Sequence, residues 1–105
     1  MASTFKNIVK EMTTGTDTYY TCPSNTTAIV SGFTVTNFDT SSGNATVYLT
    51  DNSASKTGYY LKSVTISTGL AVTLPVIALE AGDSIGGTAS ANTRFTVAGA
   101  VLERT

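Results

Sequence analysis

The chain has 105 residues, a length that suits one domain with a single hydrophobic core and needs no disulfide or metal to hold it together. Charged residues make up only 12% of the sequence, and the formal net charge is −1. No run of Lys or Arg offers the basic surface that phosphate backbones or anionic membranes attract, so neither nucleic acid nor a membrane is expected as a partner. So few charges are typical of a chain whose surface is packed against other proteins.

The cysteine content and the first residues bear on the compartment. Cys22 is the only cysteine, so no disulfide can form within the chain. The first residues lack the apolar core of a signal peptide, and no apolar run is long enough to cross a bilayer. These features predict a protein that is made and kept in a reducing compartment.

Residues 1–16 allow two interpretations. Four apolar residues have the spacing of a stripe along a short helix: Phe5, Ile8, Val9 and Met12. The Thr-rich sequence around them favours instead an extended arm or an edge strand. We favour the extended form, and we divide the chain into an N-terminal arm, residues 1–16, and a β-sandwich domain, residues 17–105.

The most regular strand pattern lies at Thr27–Asn37. Ile29, Phe33 and Val35 recur there at a period of two, so we expect them to share the face of the strand that meets the core.

Further strands are predicted at residues 18–22, 45–51, 59–67 and 70–74, in two stretches between 77 and 89, and at 94–103. Pro75 marks a strand end, and Gly86-Gly87 favours a bulge. The last strand is apolar on both faces, with Ala98, Ala100 and Leu102 on one of them, which is typical of a central strand or one covered by a neighbour. Roughly seven or eight short strands with no helix after residue 15 predict an all-β fold, a single antiparallel two-sheet β-sandwich of jelly-roll or immunoglobulin-like topology.

The residue content of the sequence gives little support for a catalytic function. The chain has no His and no Trp, so every arrangement of a nucleophile with a histidine base is excluded. We interpret Cys22 as a small, partly buried hydrophobic residue before a turn. We therefore expect a protein that is not an enzyme, with no catalytic residue and no cofactor.

The predicted turn that contains Glu80 and Asp83 offers candidate ligands for a calcium ion. If the fold brings Asp51 near them, the three carboxylates would offer the oxygen ligands that Ca²⁺ prefers. The sequence lacks the dense Asp, Asn and Gly loop of an EF-hand, so no metal site is predicted.

Two tyrosine pairs, Tyr19-Tyr20 and Tyr59-Tyr60, each place one ring inside a strand-based fold and one outside. An outward tyrosine can anchor an interface or stack on a sugar, although strand propensity and rim packing explain these pairs more simply. We select Tyr19 and Tyr59 as candidate surface anchors.

Five short segments carry a family resemblance that extends from about Phe5 to Glu103. They are Tyr20-Thr21-Cys22-Pro23, Thr27-Ala28-Ile29-Val30, Leu49-Thr50-Asp51, Leu79-Glu80-Ala81-Gly82-Asp83-Ser84-Ile85 and Val101-Leu102-Glu103. With them the chain resembles the small β-sandwich structural proteins found in the virions of tailed bacteriophages.

This resemblance implies a non-enzymatic virion part, most often a capsid cement or decoration protein. Such a protein would be synthesised in the host cytoplasm and bind the outer capsid surface as a dimer or trimer, with the major capsid protein as its partner. Cement proteins often extend an arm onto their neighbours, so the partner-binding residues would be Phe5, Ile8, Val9 and Met12. A tail, neck or fibre subunit is the first alternative, and a carbohydrate-binding module that uses Tyr59 or Tyr60 is the second.

Overall fold

The computed structural model describes residues 2–105, and within them it contains nine β-strands and no helix. The strands are β1 (Ser3–Glu11), β2 (Asp17–Thr21), β3 (Thr27–Asn37), β4 (Gly43–Asp51), β5 (Lys56–Ile66), β6 (Ala71–Thr73), β7 (Ile77–Leu79), β8 (Ser84–Ala89) and β9 (Phe95–Arg104). The predicted arm began at Met1, which lies outside the described residues. In the described part of the chain, no helix is long and apolar enough to span a membrane.

The strands form two antiparallel sheets that pack face to face. The first sheet has the order β1-β9-β3, and both β6 and β7 pair along the far edge of β3. The second sheet has the order β2-β8-β4-β5. The predicted antiparallel β-sandwich is confirmed.

The strand order also distinguishes the two topologies that the sequence left open. β6 and β7 occupy one position in the sheet and are separated near Pro75, which has no N–H to donate to a ladder. If they are counted as one strand, successive strands mostly alternate between the sheets, and β4–β5 is a hairpin within one sheet. This arrangement is a jelly roll.

β3 has the predicted bounds, but its alternation is interrupted. Its ladder with β9 shifts register between Ser31 and Thr34. Within this irregularity Gly32 has φ 65°, a left-handed conformation that glycine adopts without steric cost. The extra residue forms a β-bulge, which changes the face on which the following side chains lie.

Because of the bulge, the residues of β3 that face the core differ from those predicted. Phe33 and Val35 are fully buried as expected, but Val30 is the buried residue before the bulge. Ile29 is 46% exposed and lies on the outer face. The prediction that Ile29 shares a face with Phe33 and Val35 was wrong, because a strict two-residue period does not hold across a bulge.

The core fills the space between the sheets. Its largest fully buried side chains are Phe33, Phe95, Met12, Ile77 and Ile85. Each such side chain contributes about 1.5–3 kcal/mol by leaving water, so these residues dominate the stability of the sandwich.

A second bulge lies near the predicted position. The ladder between β2 and β8 shifts register around Tyr19, opposite Gly86. A β-carbon on the adjacent Gly87 would lie 2.3 Å from the backbone oxygen of Thr46 and 3.0 Å from the hydroxyl of Tyr19. Gly87 is therefore needed for the close approach of β4 and of the Tyr19 ring.

The N-terminal segment is extended, as predicted, and is the edge strand of the first sheet. β1 pairs with β9 from Ser3 to Glu11, and the backbone N–H of Met12 donates to the oxygen of Phe95 at 2.9 Å. β1 therefore lies in the sheet and does not project from it. The division into residues 1–16 and 17–105 stays a prediction. It implies that residues 17–105 fold without β1.

Candidate interaction surface

The outer side of the first sheet bears much of the exposed apolar surface of the protein. We call it the first-sheet face, formed by the outward residues of β1, β9, β3, β6 and β7. On it Phe5 is 81% exposed, Val9 71% and Ile29 46%. Exposed apolar residues gathered on one face of a protein are typical of interaction sites.

Strand pairing aligns the outward residues of the first-sheet face in rows. The first row, from β1 to β7, is Phe5, Leu102, Ile29 and Ala78. The second row is Asn7, Ala100 and Ser31, and the third, from β1 to β6, is Val9, Ala98, Thr34 and Thr73. The first row is wholly apolar, and the others contain small or uncharged residues.

Charges are confined to the ends of the first-sheet face. Glu11 ends β1, and Arg104 ends β9 at the opposite end of the face. Lys6 and Lys10 belong to the other side of β1, because their partners in the ladder are the buried Val101 and Val97.

Two of the four predicted arm contacts lie on this surface. Phe5 and Val9 are exposed on the first-sheet face, whereas Ile8 and Met12 are only 3% and 0% exposed. The prediction that Ile8 and Met12 bind a partner is corrected, because core burial leaves their side chains no surface to offer. The helical spacing had grouped residues that a strand places on opposite faces.

Of the two candidate tyrosine anchors, one is internal. Tyr19 is 6% exposed and its ring centroid lies 6.3 Å from that of Phe33. Burial raises the pKa of Tyr19, and among residues 2–105 its hydroxyl has no hydrogen-bond partner. The prediction of Tyr19 as a surface anchor was wrong, because the bulge in β2 places its ring between the sheets.

Tyr59 is 53% exposed on the outer side of the second sheet. Its ring meets Tyr48 edge to face at a centroid distance of 6.0 Å, and the Lys62 ammonium lies 4.3 Å from the Tyr59 centroid. These residues border a shallow groove of about 580 Å³ that Thr and Ser side chains also line. Aromatic rings beside hydroxyl groups can contact a sugar, so this groove is where the carbohydrate-binding alternative would apply.

The fold does bring the three carboxylates considered for calcium together. Oxygens of Asp51, Glu80 and Asp83 lie within 4.8 Å of one another. Both oxygens of Asp83 already accept backbone N–H groups, from Asn52 at 3.0 Å and from Glu80 at 2.9 Å. The buried Asp83 thus joins the β4–β5 loop to the β7–β8 turn, which is a structural role.

Glu103 forms a polar network that no sequence pattern indicated. Its carboxylate accepts the hydroxyl of Tyr20 and lies 3.1 Å from the Lys6 ammonium. The hydrogen bond from Tyr20, together with Lys6, lowers the pKa of Glu103. The network ties β1 and β9 to β2 in the opposite sheet. Tyr20 and Glu103 are 83 positions apart, so only the fold shows that they meet.

Other residues of the first-sheet face were also missed, although one signal was present. The last strand is apolar on both faces, with Ala98, Ala100 and Leu102 on one of them, and this pattern indicated a central strand or one covered by a neighbour. In the sheet, Leu102 pairs with Ile29, and Ile29 pairs with Ala78. The sequence alone did not indicate that these residues form one row.

No protein-family model matches the chain, and no curated protein matches its sequence. Solved structures show clear similarity of fold. A protein from work on Bacillus endospore appendages, described as a novel family of disulfide-linked pili, matches 99% of this chain and 87% of its own with a TM-score of 0.63 and 10% identity.

A pentameric capsid protein isolated from metagenomic phage sequences matches 90% of this chain with a TM-score of 0.51 and 18% identity. The match spans 60% of that capsid protein. At these identities the similarity concerns the fold. Both neighbours are structural proteins by their descriptions, one of a pilus and one of a capsid.

Proposed function

We propose that the protein is a structural subunit that joins a larger assembly through its first-sheet face. The observation that carries this proposal is the alignment of exposed apolar residues, led by Phe5, Val9 and Ile29, across the paired strands of one sheet. Folding alone does not require these side chains to be apolar, because they lie on the side of the sheet away from the core. A partner that covers them would remove this apolar surface from water.

Within that role, we propose a part of a phage virion, specifically a capsid cement or decoration protein on the outer shell. The resemblance of short segments to small virion proteins supports this assignment, as does the fold shared with a phage capsid protein. The partner would be the major capsid protein. Such a subunit would stabilise the shell by burying surface across the seams between shell subunits. A tail, neck or fibre position is the alternative within the virion.

The state of Cys22 favours assembly by non-covalent contacts. The pilus protein with a similar fold comes from a family described as disulfide-linked. Here Cys22 is 1% exposed, and its thiol donates to the backbone oxygen of Thr26 at 3.3 Å. Burial raises the pKa of the Cys22 thiol, which disfavours the reactive thiolate. A disulfide between copies would require this region to open.

The proposal is non-enzymatic, and the chemistry of the side chains supports that. A sequence without histidine lacks the usual general base, and two of the three clustered carboxylates, Asp51 and Asp83, already accept hydrogen bonds from loop residues.

Imaging particles from a culture that produces the protein tests the virion role. We expect density for the sandwich on the outer shell, and a copy number by quantitative mass spectrometry that scales with the number of shell subunits. Density confined to the neck, tail or fibres would contradict the cement role and support the alternative virion role. Absence of the protein from purified particles would refute both.

A variant pair tests the surface. Val9→Glu places a charge on the first-sheet face, and Thr68→Glu places one in the exposed turn after β5. We expect Val9→Glu to reduce the occupancy of the protein on particles and Thr68→Glu to leave it unchanged. Equal occupancy of the two variants would show that another surface makes the contact.

Carbohydrate binding is the second candidate, favoured by the groove beside Tyr59. If the groove binds sugar, Tyr59→Ala should abolish binding on a glycan array, while Phe38→Ala, at an exposed aromatic residue elsewhere, should not. Failure of the wild-type protein to bind any glycan would exclude this function.

A further inference from the structure

We propose that the first-sheet face is covered by the same face of a second copy, related by a two-fold axis that runs across the strands at the level of Ala100. This inference rests on the proposed function, since that function assigns the face to contacts between subunits. It names a second copy as the occupant of the face, so the dimer would meet the major capsid protein through its other surfaces.

The rows of the first-sheet face are arranged symmetrically about their centre. Ala100 lies in the middle row, and one row of larger and one row of smaller residues flank it at equal distance along the strands. A two-fold axis across the strands turns one copy over and exchanges these two flanking rows. The axis therefore places each row of one copy on the opposite row of the other.

This exchange matches large side chains to smaller ones. Along β1, Phe5 of one copy meets Val9 of the second copy. Along β9, Leu102 meets Ala98 of the second copy, and the small Ala100 meets its own equivalent at the axis. Packed sheets interdigitate in this way at a spacing of about 10 Å, with bulky residues opposite small ones.

The charges at the ends of the face obey the same symmetry. Glu11 and Arg104 lie on adjacent strands, at opposite ends of the face. The exchange moves Glu11 of the second copy to the level of Ser3, the residue that pairs with Arg104. Opposite charges thus become neighbours at both ends of the interface.

A two-fold axis parallel to the strands does not have this property. Placed along β9, one of the two inner strands, it would put Arg104 opposite Arg104 of the second copy. It would also set each row against itself, with Leu102 on Leu102. Like charges and colliding large side chains disfavour that placement. Wherever a parallel axis lies, each charge keeps its own end of the face, so only the axis across the strands makes Glu11 and Arg104 of the two copies neighbours.

The size of the face suits a reversible dimer. β1 has nine residues, and the face is four strand positions wide. At about 3.4 Å per residue and about 4.8 Å per strand, it covers roughly 590 Å² per copy, or roughly 1,200 Å² for both. Specific interfaces begin at about 1,000–1,200 Å², so the dimer should dissociate on dilution.

Sedimentation equilibrium of the full chain over a dilution series tests the pairing. We expect the mass of a dimer at high concentration and of a monomer at low concentration. Ala100→Arg should leave a monomer throughout, because it sets two arginines against each other at the axis. Thr68→Glu, outside the face, should dimerise like the wild type.

Charge reversal tests the proposed axis. Glu11→Arg and Arg104→Glu should each raise the dissociation constant on the order of tenfold at low salt, because each replaces attraction by repulsion at both ends. The double variant should return it to near the wild-type value. Circular dichroism of each variant at low concentration checks that the sandwich is folded.

Several results would overturn this inference. They are a wild-type monomer at every concentration, a dimer of Ala100→Arg as stable as the wild type, or single reversals that weaken the dimer without rescue by the double variant. A monomer in solution that still decorates particles would refute self-pairing while leaving the virion role intact. A dimer that is absent from particles would refute the virion role while leaving self-pairing intact.

Discussion

Replacing Met12 by alanine tests whether the N-terminal segment belongs to the core. Met12 follows β1, is 0% exposed, and donates its backbone N–H to Phe95 at 2.9 Å. The substitution keeps this backbone bond and removes only the buried side chain.

The expected cost combines two effects. Returning a buried Met side chain to water costs about 1.5–3 kcal/mol. The space it leaves between the two sheets closes only in part, and core Met→Ala changes cost about 2–5 kcal/mol in total. We expect Met12→Ala to lower the free energy of unfolding by about 2–4 kcal/mol, a large share of the roughly 5–15 kcal/mol that holds a domain together.

Urea unfolding followed by far-ultraviolet circular dichroism measures this change. The protein concentration should be low, so that self-association does not add to the apparent stability. With a slope of about 2 kcal/mol per molar urea, the middle of the usual range, the midpoint should fall by roughly 1–2 M. The matched control is Lys10→Ala, an exposed position on β1 just before Met12, which should change the free energy of unfolding by no more than about 0.5 kcal/mol.

Equal midpoints for Met12→Ala and Lys10→Ala would refute the placement of Met12 in the core. Residues 1–16 would then be an arm, and deletion of residues 2–12 would leave a folded sandwich of unchanged stability. From the structure we expect the opposite, because the deletion removes the partner of β9 and exposes the core beneath it.

Three further outcomes are expected in the same urea assay. Tyr19→Phe should raise the free energy of unfolding by about 0.5–2 kcal/mol, because it removes a buried hydroxyl without a protein partner; a loss instead would mean that this hydroxyl is satisfied in solution. The pKa of Glu103 is lower in the folded protein than its unfolded value of about 4.3, so the ionised carboxylate adds to the free energy of unfolding above that value. This contribution is lost as the pH falls through the folded pKa. Tyr20→Phe should flatten the pH dependence, and an unchanged profile would contradict the network. Gly87→Ala should destabilise by about 1–3 kcal/mol or more, while Gly58→Ala, whose added carbon meets nothing within 4 Å, should be nearly neutral; similar effects of the two would refute the close approach at Gly87.

The sequence by itself determined the class of fold and most strand positions. Thr27–Asn37 was predicted with its observed bounds, and the strand predicted at 45–51 lies within the observed Gly43–Asp51. Local signals suffice here, because the alternation of apolar and polar residues and the turn residues between strands are properties of neighbouring positions.

The faces of single residues depended on irregularities that a regular period does not contain. Ile29 is outside and Tyr19 inside because each lies beside a bulge. Gly86-Gly87 was predicted to favour a bulge, and no sequence signal was noted at Gly32. The presence of a glycine does not show which strand carries the extra residue or where the alternation reverses.

The interaction surface and the polar network were decided by tertiary structure alone. Phe5, Leu102, Ile29 and Ala78 form one row only because β1, β9, β3 and β7, far apart in sequence, become neighbours in one sheet. Likewise Glu103 meets Tyr20 only when the sheets pack. The sequence specifies which residues are apolar along each strand, whereas the order and register of the strands decide which of them share a surface.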